Sequence, residues 1–179
     1  MEKNLENRLR DIIRDVPDFP KKGILFKDIT PILSNAKVMH DVTNFLSVMY
    51  QNQAIDAVAG IESRGFIFGS LLAQSLGVPF VPIRKAGKLP YDTIKKSYQL
   101  EYGEAALEIH TDAFKAGDKV LIHDDLLATG GTAGAAAALI KEAGAQVYGY
   151  NFLIELGFLK GRDNLAEEMK GSIYSIVKY

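Results

Sequence analysis

Between Val120 and Ala133 the chain reads VLIHDDLLATGGTA: an apolar run, two adjacent carboxylates, a small polar and glycine-rich turn, and the start of an alanine-rich segment. Each part has a chemical use. Glycines at Gly130 and Gly131 let backbone N–H groups come close to an anion, the hydroxyls of Thr129 and Thr132 add donors, and a helix opening there contributes the positive end of its dipole. That combination is a phosphate cradle. Asp124 and Asp125, directly upstream, suit ribose hydroxyls or the water shell of a magnesium ion, because hard cations take oxygen ligands. The alternative is a capped turn with incidental acids, and it does not account for acids and cradle being contiguous. Neither G-x-x-x-x-G-K-[ST] nor G-x-G-x-x-G occurs in the chain, so the two commonest nucleotide motifs are excluded.

A cradle needs a strand ahead of it and a helix behind it. The pattern predicts a strand over Lys119–Ile122, a helix over Thr132–Glu142 closed by Gly144, and a strand over Gln146–Ile154. Upstream, the apolar run Ala57–Ile61, a helical Phe66–Leu76 stopped at Gly77, and a second run Phe80–Ile83 repeat the same order. Strand and helix alternating at this spacing predict a parallel sheet covered on both faces, with ligands beyond the C-terminal ends of its strands. Leu5, Leu9, Ile12 and Ile13 recur at helical spacing ahead of Pro17, and Val38, Met39, Val42, Phe45, Leu46 and Met49 form a second stripe after a loop marked by Pro17, Pro20 and Gly23.

One segment interrupts the alternation. From Arg84 to Lys96 there are five cations, Arg84, Lys85, Lys88, Lys95 and Lys96, against Asp92 alone, with Gly87 and Pro90 opposing regular structure. We expect a mobile basic loop here. The β-prone runs Tyr98–Tyr102 and Ala106–His110, joined at Gly103, are expected to form a hairpin beside it.

The 179 residues suit one domain, and 21 Lys and Arg against 22 Asp and Glu leave a net charge of −1. That balance argues against a general nucleic-acid binder. With 47% hydrophobic and 24% charged residues the composition is that of an ordinary folded domain. Zero cysteines exclude disulfides, thiolate nucleophiles and thiolate metal sites, and suit a reducing compartment. MEKNLENRLRD lacks the apolar core of a secretory signal, so the N-terminus reads as mature. The uncharged stretch Gly65–Ile83 contains Gly77, Pro79 and Pro82, which break a spanning helix, so no membrane association is expected. His40 and His110 lack partners at metal-ligand spacing, and His123 stands where an apolar strand residue is expected.

The segment around Asp124–Thr132 resembles the phosphoribosyl diphosphate signature of the type I phosphoribosyltransferases. FPKKGILFKDITPIL (Phe19–Leu33), AGIESRGFIFG (Ala59–Gly69), RKAGKLP with SYQLEYG (Arg84–Gly103) and LIELGFLKGR (Leu153–Arg162) narrow the resemblance to the adenine phosphoribosyltransferases, from about Phe19 onward. It implies an α/β fold: a parallel-sheet domain over 1–179 with a flexible basic loop and hairpin and a short N-terminal helical hood, within a base-binding segment 1–34. It also implies purine salvage, adenine and phosphoribosyl diphosphate (PRPP) as substrates, Mg2+ as cofactor, a homodimer and a cytoplasmic location. Carried over by position, Ala128, Thr129, Gly130, Gly131 and Thr132 take the 5′-phosphate, and Asp124 and Asp125 the ribose hydroxyls, with a water-mediated link to Mg2+ open. Arg64, Lys85 and Lys88 take the diphosphate, Arg64 from a loop in which family members often hold a non-proline cis peptide. Leu25, Phe26 and Lys27 take the adenine, Phe26 by stacking. Glu101 and Tyr102 fall on the acid and tyrosine of the closing loop, and Glu101, Arg64 and Lys88 are the expected catalytic groups.

Two rivals share the cradle. A 6-oxopurine phosphoribosyltransferase should lack the Leu25-Phe26-Lys27 segment. A PRPP-sensing regulator should carry a DNA-binding extension and lack Glu101 or the basic loop. This sequence fits neither description.

Overall fold

The computed structural model describes residues 2–99, 104–168 and 172–179. They fall into two compact units, Met1–Met49 and Tyr50–Tyr179.

In the first unit, α1 (Glu2–Ile12) buries Leu5 and Leu9 at i and i+4. The chain then forms a two-stranded antiparallel ribbon, β1 (Arg14–Pro17) with β2 (Leu25–Asp28), in which Val16 pairs with Phe26 and Asp15 with Lys27. The sequence pattern did not predict these strands: each is four residues long, one contains a proline, and both carry charges that hide any alternation. The charges are used internally, since the buried Lys27 places Nζ 2.5 Å from Asp15 Oδ1. Asp28 then turns the chain into the short α2 (Thr30–Leu33), accepting from Thr30 N at 2.9 Å and Thr30 Oγ1 at 2.8 Å. Helix α3 (Ala36–Tyr50) carries the expected stripe, with Val38, Val42 and Leu46 buried.

The second unit is built on a seven-stranded sheet in the order β5-β6-β4-β3-β7-β8-β9. Its strands are β3 (Ala57–Ile61), β4 (Phe80–Lys85), β5 (Thr93–Gln99), β6 (Glu104–His110), β7 (Lys119–Leu127), β8 (Gln146–Glu155) and β9 (Ser172–Lys178). The five from β4 to β9 in that order pair in parallel, and the β5–β6 hairpin adds antiparallel to the β4 edge. Helix α4 (Gly65–Leu76) connects β3 to β4, α5 (Gly131–Glu142) connects β7 to β8, and α6 (Gly161–Glu168) precedes β9. The β3→β4 and β7→β8 crossovers leave in opposite directions along the sheet. Right-handed connections therefore put α4 and α5 on opposite faces, and the strand order reverses between β3 and β7. No helix among the described residues is long and apolar enough to cross a membrane.

Two expectations change. Strand β7 does not stop at Ile122 but continues through both acids to Leu127, with Asp124 opposite Phe152 and Leu126 opposite Ile154, because Leu126 and Leu127 restore the apolar pattern beyond the carboxylates. The basic segment is also less irregular than its charge suggests: Arg84 and Lys85 end β4, Lys95 and Lys96 lie in β5, and only 86–92 falls between strands. Its counter-charges come from elsewhere in the chain. Glu62 Oε2 receives Arg84 Nε at 3.1 Å, and the buried Glu108 receives the Lys88 and Leu89 N–H groups at 2.7 and 2.8 Å, with Lys95 Nζ at 3.6 Å.

Candidate active site

The reversal between β3 and β7 opens a crevice at their C-terminal ends, the place where open α/β sheets bind ligands. Two strand-to-helix turns border it.

After β7, Ala128–Gly130 lead into α5. The helix opens on Gly130 at φ 88° with no side-chain cap, which leaves its first N–H groups without intrahelical acceptors. A cavity of about 170 Å³ lies there, lined by Asp124 and Leu126–Ala133. The sequence-predicted phosphate residues thus surround one small polar hollow at a helix N-terminus. Thr132 Oγ1 also donates to Tyr98 Oη at 3.4 Å, so the hairpin touches the cradle.

After β3, Glu62, Ser63 and Arg64 lead into α4, and the Glu62–Ser63 peptide is cis. Arg64 Nε lies 3.0 Å from Asp125 Oδ2. Gly65 permits this approach, since a Cβ there would stand 2.8 Å from His123 O and 2.9 Å from Asp124 Oδ1. Glu62 holds Arg84 and accepts from Lys85 N at 3.0 Å. Burial works against its ionisation, but the Lys85 N–H and the Arg84 guanidinium hold its carboxyl below the usual range.

The electrostatics of the acid pair follow from burial. Desolvation pushes the Asp124 carboxyl well up and the neighbouring Asp125 charge pushes it further. Asp125 is also raised by burial, while Arg64 pulls it back. The pair is therefore short of partners for its charged form, which a cation or the hydroxyl donors of a ligand can supply. His123, fully buried beside them, bonds through Nδ1 to Asn151 Oδ1 at 2.7 Å, and burial lowers its pKa to about 4. It is neutral at physiological pH. Asn151 Nδ2 continues to Tyr50 Oη at 3.4 Å, and burial raises the tyrosine to about 12.

The cradle is supported from behind. Asn164 Nδ2 donates to Thr129 O at 2.8 Å, and Gly161 lies so close to Ala128 that a Cβ would strike its carbonyl oxygen. That segment is fixed by the buried Glu155, which receives Arg162 Nε at 2.9 Å, Arg162 Nη2 at 2.5 Å and Ser175 Oγ at 2.7 Å. Among the described residues no cluster of three or more His, Cys, Asp or Glu side chains could hold a metal ion by itself.

Of the remaining expected site residues, Lys85 and Lys88 expose their side chains at the end of β4 and in the loop after it. Leu25, Phe26 and Lys27 form β2 of the first unit, where Leu25 is half exposed and Phe26 meets Phe19 edge-on at 5.1 Å between ring centroids. Glu101 and Tyr102 lie outside the described residues. Sequence reasoning missed Glu62, Glu108 and Asn164 as supports. The first two were visible only as the missing counter-charges of a basic segment, and Asn164 gave no signal.

Comparison with known proteins agrees with this arrangement. Residues 28–169 match the model of the phosphoribosyl transferase domain. The adenine phosphoribosyltransferase of Syntrophotalea carbinolica is 54% identical over 171 residues, covering 96% of this chain and 98% of that protein. That of Nitrosococcus oceani is 52% identical, covering 96% and 99%. Among solved structures, the adenine phosphoribosyltransferase of Thermoanaerobacter pseudethanolicus superposes with a TM-score of 0.92 at 48% identity, covering 97% of this chain and 99% of that one. The Saccharomyces cerevisiae protein, solved with an imino-altritol bisphosphate and adenine, superposes at 0.89 with 40% identity over 97% and 99%. With the cradle, the acid pair and Arg64 at the switch point of such a sheet, this chain belongs to the adenine phosphoribosyltransferases of the phosphoribosyl transferase family.

Proposed function

We propose that this chain transfers the 5-phosphoribosyl group of PRPP to N9 of adenine, giving AMP and diphosphate. The observation that carries the reading is the juxtaposition at one strand switch of a carboxylate pair, an arginine 3.0 Å from it and an uncapped helix N-terminus. A sugar phosphate with a diphosphate leaving group needs just these three kinds of partner.

In this reading the 5′-phosphate sits on Ala128–Thr132, and Asp124 and Asp125 accept from the ribose hydroxyls. Those carboxylates supply hard oxygen donors but too few for a protein-only metal site, which suits an ion that arrives on the diphosphate and retains several waters. Mg2+, when bound, neutralises charge on the diphosphate. The C1′–O bond to diphosphate breaks ahead of attack by N9, through an oxocarbenium-like state at C1′, and as the N9–C1′ bond forms the N9 proton passes to the departing diphosphate, directly or through Glu101. Arg64, Lys85 and Lys88 stabilise the departing anion, and loop closure keeps water from the cation. Glu101 either takes part in proton transfer or positions the closing loop.

Selectivity rests on β2. Leu25 and Lys27 are two apart on a strand, so their backbone groups point to the same edge. A carbonyl at Leu25 accepts from the 6-amino group and repels a 6-oxo group, while the Lys27 N–H serves N7; Phe26 stacks on the ring. Such a polar mismatch discriminates by about 10⁴-fold. A homodimer and a cytoplasmic location belong to the same reading, supported by the family and by the absence of cysteine.

Steady-state turnover of adenine, hypoxanthine, guanine and xanthine with PRPP and magnesium tests the assignment. Adenine should be strongly preferred, and comparable kcat/KM for adenine and hypoxanthine would overturn it.

A further inference from the structure

A backbone N–H that binds a phosphate is one end of a rigid peptide unit, and in a trans unit the carbonyl at the other end points the opposite way. Whatever holds the carbonyl therefore aims the N–H. Among the described residues only Phe19–Pro20 and Glu62–Ser63 are cis, so the Thr129–Gly130 unit is trans. Its carbonyl oxygen, Thr129 O, accepts from Asn164 Nδ2 at 2.8 Å. Asn164 lies outside the lining of the cradle; it borders a second cavity, of about 420 Å³, that Thr129, Gly130 and Gly131 also line together with Lys96 and Tyr98.

That cavity matters because it leaves the loop without close packing on this side. A carbonyl facing open space can swing, and among the described residues the Asn164 amide restrains it. One unit earlier the restraint is steric: Gly161 lies against Ala128 O, and the missing Cβ of Gly130 faces Gly161 O at 2.8 Å. Gly161 and Asn164 stand on the first turn of α6, which Arg162 locks to the buried Glu155 and to Ile173 O at 2.7 Å. The support is thus rigid where it begins and touches the loop at two successive peptide units.

We infer that Asn164 is a positioning residue for phosphate binding: by holding Thr129 O it aims the Gly130 N–H into the cradle, with Gly161 setting the depth at which the loop rests. This rests on the reading of Ala128–Thr132 as the 5′-phosphate loop. Asn164 touches no substrate, and its effect should fall on PRPP alone.

The test compares four variants of the full chain. Asn164→Leu keeps the size and removes the donor, Asn164→Gln keeps an amide donor, Gly161→Ala pushes on Ala128 O, and Thr132→Val removes a donor of the loop itself. Losing the restraint of one hydrogen bond should raise KM for PRPP about three- to tenfold in Asn164→Leu. Asn164→Gln should recover most of that loss and Gly161→Ala should exceed it. In Asn164→Leu, kcat, KM for adenine and Tm should stay close to wild type. Ribose 5-phosphate, which carries the phosphate without base or diphosphate, should raise the Tm of wild type and raise that of Asn164→Leu less. If Thr132→Val raises KM for PRPP while Asn164→Leu and Gly161→Ala do not, the inference is wrong and the phosphate reading stands. If Thr132→Val also leaves it unchanged, the phosphate reading fails and takes the inference with it. A parallel rise in both KM values, or a drop in Tm without recovery by Asn164→Gln, assigns Asn164 a structural role and likewise overturns the inference.

Discussion

At the end of β7 the chain enters α5 through Ala128–Gly130, with glycine at the helix cap and no side-chain cap; at the end of β3 it enters α4 through Glu62–Arg64, with Arg64 at the cap. The topology is the same, strand to helix at a shared crevice, but the recognition differs. The first turn offers main-chain donors, whose direction is set by neighbours behind it. The second offers a side chain, whose guanidinium is held by Asp125 in front of it and whose loop is tied back through Glu62 to Arg84. Substitution should therefore cut deep at the β3 turn, where the group that recognises is the group removed. At the β7 turn it should act mainly through shape.

The largest effect is expected from Arg64→Ala. On the proposed reading it removes a diphosphate contact, and it also leaves the buried Asp125 without its cation; truncating one partner of such a pair costs about 2–5 kcal/mol, or roughly 30- to 5 × 10³-fold in kcat/KM for PRPP. A loss no greater than that of the Thr132 variant would erase the contrast between the turns. Asp125→Asn should follow, with the fold intact and a loss of about 1.5–3 kcal/mol, near ten- to a hundredfold, in kcat/KM for PRPP. Wild-type kinetics there would remove Asp125 from the site.

Asp124→Asn should separate function from stability. Because burial and Asp125 raise the Asp124 carboxyl above its unfolded value, the folded state holds its proton longer than the unfolded chain does. Its share of stability is present below the unfolded carboxyl range near pH 4 and is lost as pH rises through the raised folded value. The ligand-free variant should thus melt above wild type at neutral pH, by about 2–4 °C per kcal/mol relieved, and the gap should close on approach to pH 4. Melting curves from pH 4 to 8 check this; a gap that widens on acidification contradicts the sign. The smallest effect is expected from Glu108→Gln, which keeps the acceptor for Lys88 and Leu89 but loses the charge facing Lys95. Cleavage of segment 86–92 by a lysine-specific protease should rise about two- to fivefold, as a weakened charge-assisted bond implies, with PRPP still protecting it. Unchanged cleavage would mean that the carboxylate charge does not hold the loop.

The sequence shows the two turns unequally for the same reason. Ala57–Ile61, Gly65–Leu76 and the β7–α5–β8 run carry strong apolar patterns, and their elements fall within a few residues of expectation except at the end of β7, which runs on from Ile122 to Leu127. Asp124–Thr132 is legible because its donors, glycines and acids are contiguous. What supports the turns is not. Glu62 meets Arg84 across 22 positions and Asn164 meets Thr129 across 35, and pairings at such distances leave no local pattern. The β1–β2 ribbon was missed for a different reason, being too short and too charged for alternation to register. His123 looked like an apolar position occupied by the wrong residue. It is as buried as an apolar residue, and Asn151, equally buried on the next strand, supplies the partner that makes this tolerable.

Among the described residues the order of the sheet puts β5 and β9 at its two margins. A marginal strand invites a strand from another molecule unless its edge is guarded. On β5 the adjacent Lys95 and Lys96 are both exposed, so any strand docking there must lie alongside two ammonium groups. On β9 the last strand residue, Lys178, is exposed and its Nζ lies 4.0 Å from Glu155. Lysines at both margins thus discourage the sheet from growing into a fibril, and the cations of β5 protect solubility whatever part they take in holding an anion.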